Sequence, residues 1–135
     1  HGAVRQRGSS PKLQVLNTAL MTALDSRSFE QARQEPDYWG RLVESCVGAH
    51  LINTSLGTSI EVHYWRERNQ EVDFILRRGS MVAALEVKSG RRREALPGLP
   101  TFLKRCKPVA RAILIGGQGH PLEEFLSAPA AEWLK

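Results

Sequence analysis

The spacing of apolar residues along this chain switches from helical to extended near residue 60. From Gly40 to Asn53, the residues Leu42, Val43, Cys46, Val47, His50 and Leu51 recur every three or four positions, which predicts an amphipathic helix. Beyond it, Ile60-Glu61-Val62-His63-Tyr64-Trp65 alternates and is rich in β-branched and aromatic residues, Arg66 to Gln70 is a polar turn, and Glu71 to Arg77 alternates again. Arg78-Gly79-Ser80 predicts a second tight turn before a third strand, Met81 to Lys88. Three consecutive strands joined this way form an antiparallel meander. On the second of them, strict alternation puts Asp73 on one face with Glu71 and Ile75, and Val72, Phe74 and Leu76 on the other.

The flanks are less regular. Lys12 to Leu16 reads as a short strand, leading into Asn17 to Leu24, where Asn17 can cap a helix. Asp25 to Pro36 is polar and reads as loop with a helical turn. After Ser89-Gly90 and the run Arg91-Arg92-Arg93, Pro97 and Pro100 break the pattern; a helix from Leu99 or Pro100 to Cys106 is compatible with a proline in its first turn. Val109 to Ile115 reads as a buried strand ended by Gly116-Gly117, and Pro121 to Leu126 as a short terminal helix. The expected fold is therefore α/β, a central mixed sheet with an antiparallel meander flanked by helices. It forms one domain over residues 11–135, preceded by a polar, Gly-rich, basic tail over residues 1–10.

Composition narrows the setting. With 135 residues, 41% hydrophobic and 24% charged, the chain is an ordinary single globular domain. Nineteen Lys and Arg against 14 Asp and Glu give a net charge of +5, which favours phosphate-rich or acidic partners. Cys46 lies in an apolar helical context and Cys106 among Lys104, Arg105 and Lys107, so neither a disulfide framework nor a Cys-x-x-Cys metal site is suggested, and a reducing, cytoplasmic setting fits. There is no apolar run near 18 residues and no hydrophobic signal-peptide core, so no membrane association is expected.

The chemistry concentrates in the meander. Glu86 and Lys88 are two apart on a strand and project to one side, with Asp73 on the neighbouring strand. Glu44 projects to the edge of the buried face of the predicted helix, from which an acid can reach inward, whereas Arg41 projects to the opposite side. Carboxylates converging with an ammonium suit a divalent cation held by hard oxygen ligands, with the lysine set against a charged oxygen. The plainer explanation is that Glu44 and Asp73 occupy solvated or boundary positions and pair with nearby Lys or Arg.

A helical Glu, then an Asp in one strand and Glu-x-Lys in the next, resembles the PD-(D/E)xK nuclease superfamily, whose four positions are matched by Glu44, Asp73, Glu86 and Lys88. The segments Ser10-Pro11-Lys12-Leu13, Gly40-Arg41-Leu42-Val43-Glu44, Tyr64-Trp65-Arg66, Glu71-Val72-Asp73-Phe74 and Glu86-Val87-Lys88-Ser89 look like the C-terminal domain of unknown function of bacterial and archaeal AAA-type ATPases. The likeness spans roughly residues 10 to 117. Glu71-Val72 stands where many of these nucleases carry a proline before the Asp. The resemblance implies a restriction-endonuclease-like core that binds Mg2+ or Mn2+ through Asp73, Glu86 and the carbonyl of Val87, with Glu44 completing the shell and Lys88 orienting the attacking water. It also implies nucleic acid, DNA foremost, as substrate and an N-terminal ATPase domain as partner. A competing expectation is a catalytically inactive module of the same fold that binds DNA or protein, its acids and lysine satisfying one another as a buried ion-pair cluster.

Other candidates are peripheral. Arg91, Arg92 and Arg93, with Arg77, Arg78, Lys104, Arg105 and Lys107, could track a phosphate backbone, and Tyr64, Trp65 and Arg66 could stack on bases, although strand aromatics more often fill a core. His50, His63 and His120 lack zinc-ligand spacing. Gly116-Gly117-Gln118-Gly119 follows a strand but lacks the Lys-Ser/Thr of a phosphate loop, so it reads as an ordinary turn.

Overall fold

Pro36 decides where the longest helix begins. Its ring disfavours a helical conformation for the residue before it, and Glu35 is extended at φ −101°, ψ 96°, so the chain leaves one helix and enters the next within a single residue. The computed structural model describes residues 12–90, 98–105 and 110–135; the tail over 1–10, Arg91 to Arg93, Cys106 and Lys107 lie outside them. Within the described residues the helices are α1 (Ala19–Thr22), α2 (Phe29–Gln34), α3 (Pro36–Ser55), α4 (Leu99–Arg105) and α5 (Leu122–Ser127), with a terminal 3-10 helix at Ala130–Leu134. The strands are β1 (Glu61–Glu67), β2 (Gln70–Arg78), β3 (Met81–Val87) and β4 (Ala110–Ile115).

The sheet order is β1-β2-β3-β4, with the first two pairings antiparallel and β3–β4 parallel. The protein is thus an α/β domain with a mixed four-stranded sheet flanked by helices, and the meander is the one its alternation predicts. On one face Val47 and Leu51 of α3, Phe125 of α5 and Leu134 pack against Phe74, Leu76, Leu85, Ile113 and Ile115. On the other, Leu99 and Phe102 of α4 cover Val72, Ile75 and Ala84, and Trp65 closes the edge in a T-shaped contact with Phe102 at 5.7 Å. Strand β3 is central: Ala83, Ala84 and Leu85 are fully buried.

Three local expectations are revised. Residues 12–16 form no strand; they lie along α3, as described below. α2 is a full helix with a capping box, in which the Ser28 hydroxyl accepts from the Gln31 N–H and the Gln31 side chain accepts from the Ser28 N–H. α1 is only four residues long, with the Ala19 N–H donating to Asn17 Oδ1 at 3.0 Å.

The most consequential revision is in β2. His63 pairs with Ile75 but Trp65 pairs with Val72, so Tyr64 of β1 faces two residues of β2, Asp73 and Phe74. This is a β-bulge, and it inverts the alternation on its far side. Val72 therefore shares the α4 face with Ile75, while Phe74 and Leu76 face α3. The expected grouping of Val72 with Phe74 and Leu76 does not hold, because strict alternation assumes an unbulged ladder.

Candidate functional site

The bulge lies where the β2–β3 ladder gives out. Register pairs run from Arg78 with Met81 to Phe74 with Leu85. Past that point the Val87 N–H donates to Asp73 Oδ2 at 2.8 Å, so a carboxylate takes the place of a strand carbonyl. On the other side the Lys88 N–H donates to the Ile115 carbonyl at 2.8 Å. Gly116 makes that approach possible: at φ +75° a Cβ there would stand 2.1 Å from the Lys88 carbonyl oxygen. The end of β3 is thus held on both sides through its own N–H groups, by a side-chain carboxylate on one side and a main-chain carbonyl on the other, which fixes where Glu86 and Lys88 start.

Asp73 and Glu86 are the two buried acids among the described residues, 8% and 5% exposed. Lys88 Nζ lies 3.1 Å from Glu86 Oε1. Glu86 Oε2 is buried and meets no hydrogen-bond partner among the described residues. An ionised carboxylate in that state is costly, so proton affinity rises. Burial, then the neighbouring Glu86 charge, pushes the Asp73 carboxyl up to about 7, against the Val87 N–H, which favours the charged form. Glu86 is also raised, by burial first, with Lys88 pulling the other way. Two acids of raised proton affinity in a low-dielectric site are groups whose charge a cation could stabilise.

The third acid, Glu44 of α3, is half-buried and contributes to the raised proton affinity of both. Its carboxylate is in contact with the ammonium of Lys12, which also donates to the Asp73 carbonyl at 3.3 Å and lies 4.9 Å from the centre of the Phe74 ring. Sequence reasoning missed Lys12. A contact across 61 positions leaves no local pattern; in sequence Lys12 stands only at the start of an expected strand and within the segment Ser10-Pro11-Lys12-Leu13 that bears the resemblance, with no role attached.

The fit to a divalent cation is chemical and incomplete. Hard oxygen donors are what Mg2+ or Mn2+ takes, and Mg2+ commonly uses one or two carboxylates and keeps several waters. Asp73 and Glu86 supply two, and the Val87 carbonyl is the neighbouring main-chain candidate. Among the described residues, however, no three His, Cys, Asp or Glu side chains converge closely enough to hold a metal, so Glu44 does not complete a set with the other two in this structure.

A cleft of about 1000 Å3 opens beside Val87 and Lys88, its far wall formed by Gln34, Glu35, Pro36, Asp37, Tyr38 and Arg41. Reading residues 25–36 as loop hid this wall, which the α2–α3 junction builds. Arg66 is exposed on β1, away from this cleft's lining. Trp65 is half-buried against the core on the α4 side, whereas Tyr64 is exposed. The three described histidines are scattered, with His50 on the Ala128 carbonyl, His63 beside Glu61 and His120 beside Glu124.

The fold and the site define an α/β domain carrying a buried acid pair and a lysine at the end of its central strand. The chain belongs to the family described as "Domain of unknown function (DUF4143)", which matches residues 39–129, more than half of its length. That span contains Glu44, Asp73, Glu86 and Lys88 and leaves Lys12 outside. No curated protein and no solved structure matches it. Among the described residues, no helix is long and apolar enough to cross a membrane.

Proposed function

We propose that this domain is a divalent-metal-dependent phosphodiester hydrolase acting on nucleic acid, with DNA as the first substrate to test. The observation that carries the reading is the Asp73–Glu86 pair: two buried acids, one with an unpartnered oxygen, beside a lysine that lines a cleft. Structural ion pairs rarely leave a buried carboxylate oxygen without a donor. Mg2+ or Mn2+, when bound, would supply Lewis-acid polarisation of a phosphoryl oxygen and acidify water. Asp73, Glu86 and the Val87 carbonyl would hold it, and Asp73 and Glu86 would give up their extra proton affinity on doing so. Lys88, fixed at its main chain by Ile115, would place a compact positive charge against the oxygens that become more negative during attack.

The wider setting rests on the sequence resemblance to nuclease-superfamily members and to domains appended to AAA-type ATPases. In this reading the partner is an N-terminal ATPase domain, the compartment is the cytoplasm, and Arg66 with Arg91, Arg92 and Arg93 would meet the phosphate backbone. The test is cleavage of plasmid and single-stranded DNA with Mg2+ or Mn2+. Metal-dependent nicking that Lys88→Ala abolishes is expected. DNA left intact by the parent in both metals overturns the hydrolase.

A second reading has its own support. The ion pairs Lys12–Glu44 and Lys88–Glu86 already neutralise two of the three acids, and a proton on Asp73 neutralises the third, as in a non-catalytic module that binds nucleic acid or protein. Metal-independent DNA binding without cleavage would favour it.

A further inference from the structure

Residues 12 to 16 are seated on α3 by side chains although they pair with no strand. Gln14 Nε2 donates to the Ser45 carbonyl at 2.9 Å, and Asn53 Nδ2 donates to the Leu16 carbonyl at 3.0 Å. Gly48 is the hollow under Gln14: a Cβ there would lie 2.0 Å from Gln14 Oε1 and 2.8 Å from Cε1 of Phe74. Little apolar burial supports this seat, since Leu13 is 92% exposed and Leu16 50%. At its leading end Lys12 contacts the Glu44 carboxylate and the Asp73 carbonyl. A segment held by a few polar contacts opens at little cost in free energy.

We infer that Lys12 is a tethered cation standing in for the divalent ion at Glu44, so that metal entering at Asp73 and Glu86 recruits Glu44 only by displacing Lys12 and loosening the 12–16 segment from α3. The inference rests on the metal-site reading above. It accounts for two observations together, that Glu44 does not converge with Asp73 and Glu86 among the described residues and that an ion pair occupies Glu44. Coupling between two events sharing one group is reciprocal: metal weakens the seat of the segment, and the seated segment weakens metal binding by the same factor.

The experiment compares the parent with Lys12→Met in Mn2+ titrations followed by calorimetry, and with amide hydrogen exchange of residues 13 to 17 with and without Mn2+. Arg77→Gln, a loss of exposed charge at the opposite end of β2, serves as the control. Lys12→Met is expected to bind Mn2+ at least about fivefold more tightly, the lower edge of ordinary coupling between sites. Arg77→Gln is expected to change affinity by less than about twofold, since exposed charges far from the site are heavily screened. Mn2+ is expected to speed exchange of residues 13 to 17 in the parent. Mn2+ binding that is unchanged or weakened in Lys12→Met, or exchange in the parent that Mn2+ leaves unaltered, overturns the displacement while leaving the metal site standing. If neither parent nor variant binds Mn2+, the metal site fails and the displacement with it.

Discussion

β2 carries two acid settings at its two ends, and they behave in opposite ways. Near Arg77 the acid lies across the strand on β1: Glu61 and Arg77 are register partners, their side chains 50% and 54% exposed, with Arg77 Nη2 2.8 Å from Glu61 Oε2. His63 and then Arg77 hold the Glu61 carboxyl below its ordinary range. At the bulged end burial raises both Asp73 and Glu86, helped by the Glu86 charge at Asp73 and by the Glu71 and Glu44 charges at Glu86, and an oxygen of Glu86 is left without a donor. One sheet therefore solves the same problem by solvent and a guanidinium at one end and leaves it open at the other. Acids whose proton affinity departs upward mark functional sites more often than acids in satisfied surface pairs, and these two adjoin Val87 and Lys88, which line the cleft.

The largest effect that sharpens this contrast is expected from the packing beneath the buried end. Phe74 is 4% exposed, abuts Gly48 and underlies Lys12, so Phe74→Ala should lower stability by about 3–5 kcal/mol in urea denaturation. A loss below about 1 kcal/mol would mean that the bulged end is not packed as described.

Next comes pH. Asp73 holds its proton to about 7 in the fold, against about 3.9 for an ordinary aspartate, with Glu86, Glu44 and Lys12 the charged groups acting on it. Below about 4 the group is protonated in both states and contributes nothing. Between about 4 and 7 the unfolded chain releases a proton that the folded one keeps, so stability falls as pH rises, and above 7 the full penalty is in place. Asp73→Asn should flatten the metal-free stability profile between pH 4 and pH 8 by on the order of 3 kcal/mol. An unchanged profile would place Asp73 among ordinary surface acids. The smallest effect is expected at the other end, where Glu61→Gln should leave the denaturation midpoint almost unmoved, because exposed ion pairs contribute little. A large loss there would erase the distinction between the two ends.

Periodicity sufficed for the long helix, the meander and the last strand, since each buries a face whose repeat is written locally: Val43, Val47 and Leu51 on α3, and Leu85 with Ile113 and Ile115 across β3 and β4. The acids were also legible, because Asp and Glu are out of place amid strand residues such as Phe74 and Leu85. What failed was whatever depends on pairing partners. The bulge follows from how Tyr64 meets Asp73 and Phe74, and no propensity encodes that. Lys12 meets Glu44 only after α3 has packed on the sheet, and the cleft wall exists only once Pro36 has turned α2 into α3. The distinction between a third ligand and an ion-paired acid at Glu44 is therefore a tertiary property.

The central claim is that Asp73 and Glu86 form a site for a cation, which takes the place of the proton on Asp73. Calorimetric titration with Mn2+ at pH 6.5, repeated in buffers of different ionisation enthalpy, tests it directly, because a metal binding at Asp73 must expel the proton held there. The expected result is one saturable site with proton release, lost in Asp73→Asn and with the release fading by about pH 9. No saturable heat in the parent, or the same binding and proton release in Asp73→Asn, would contradict it.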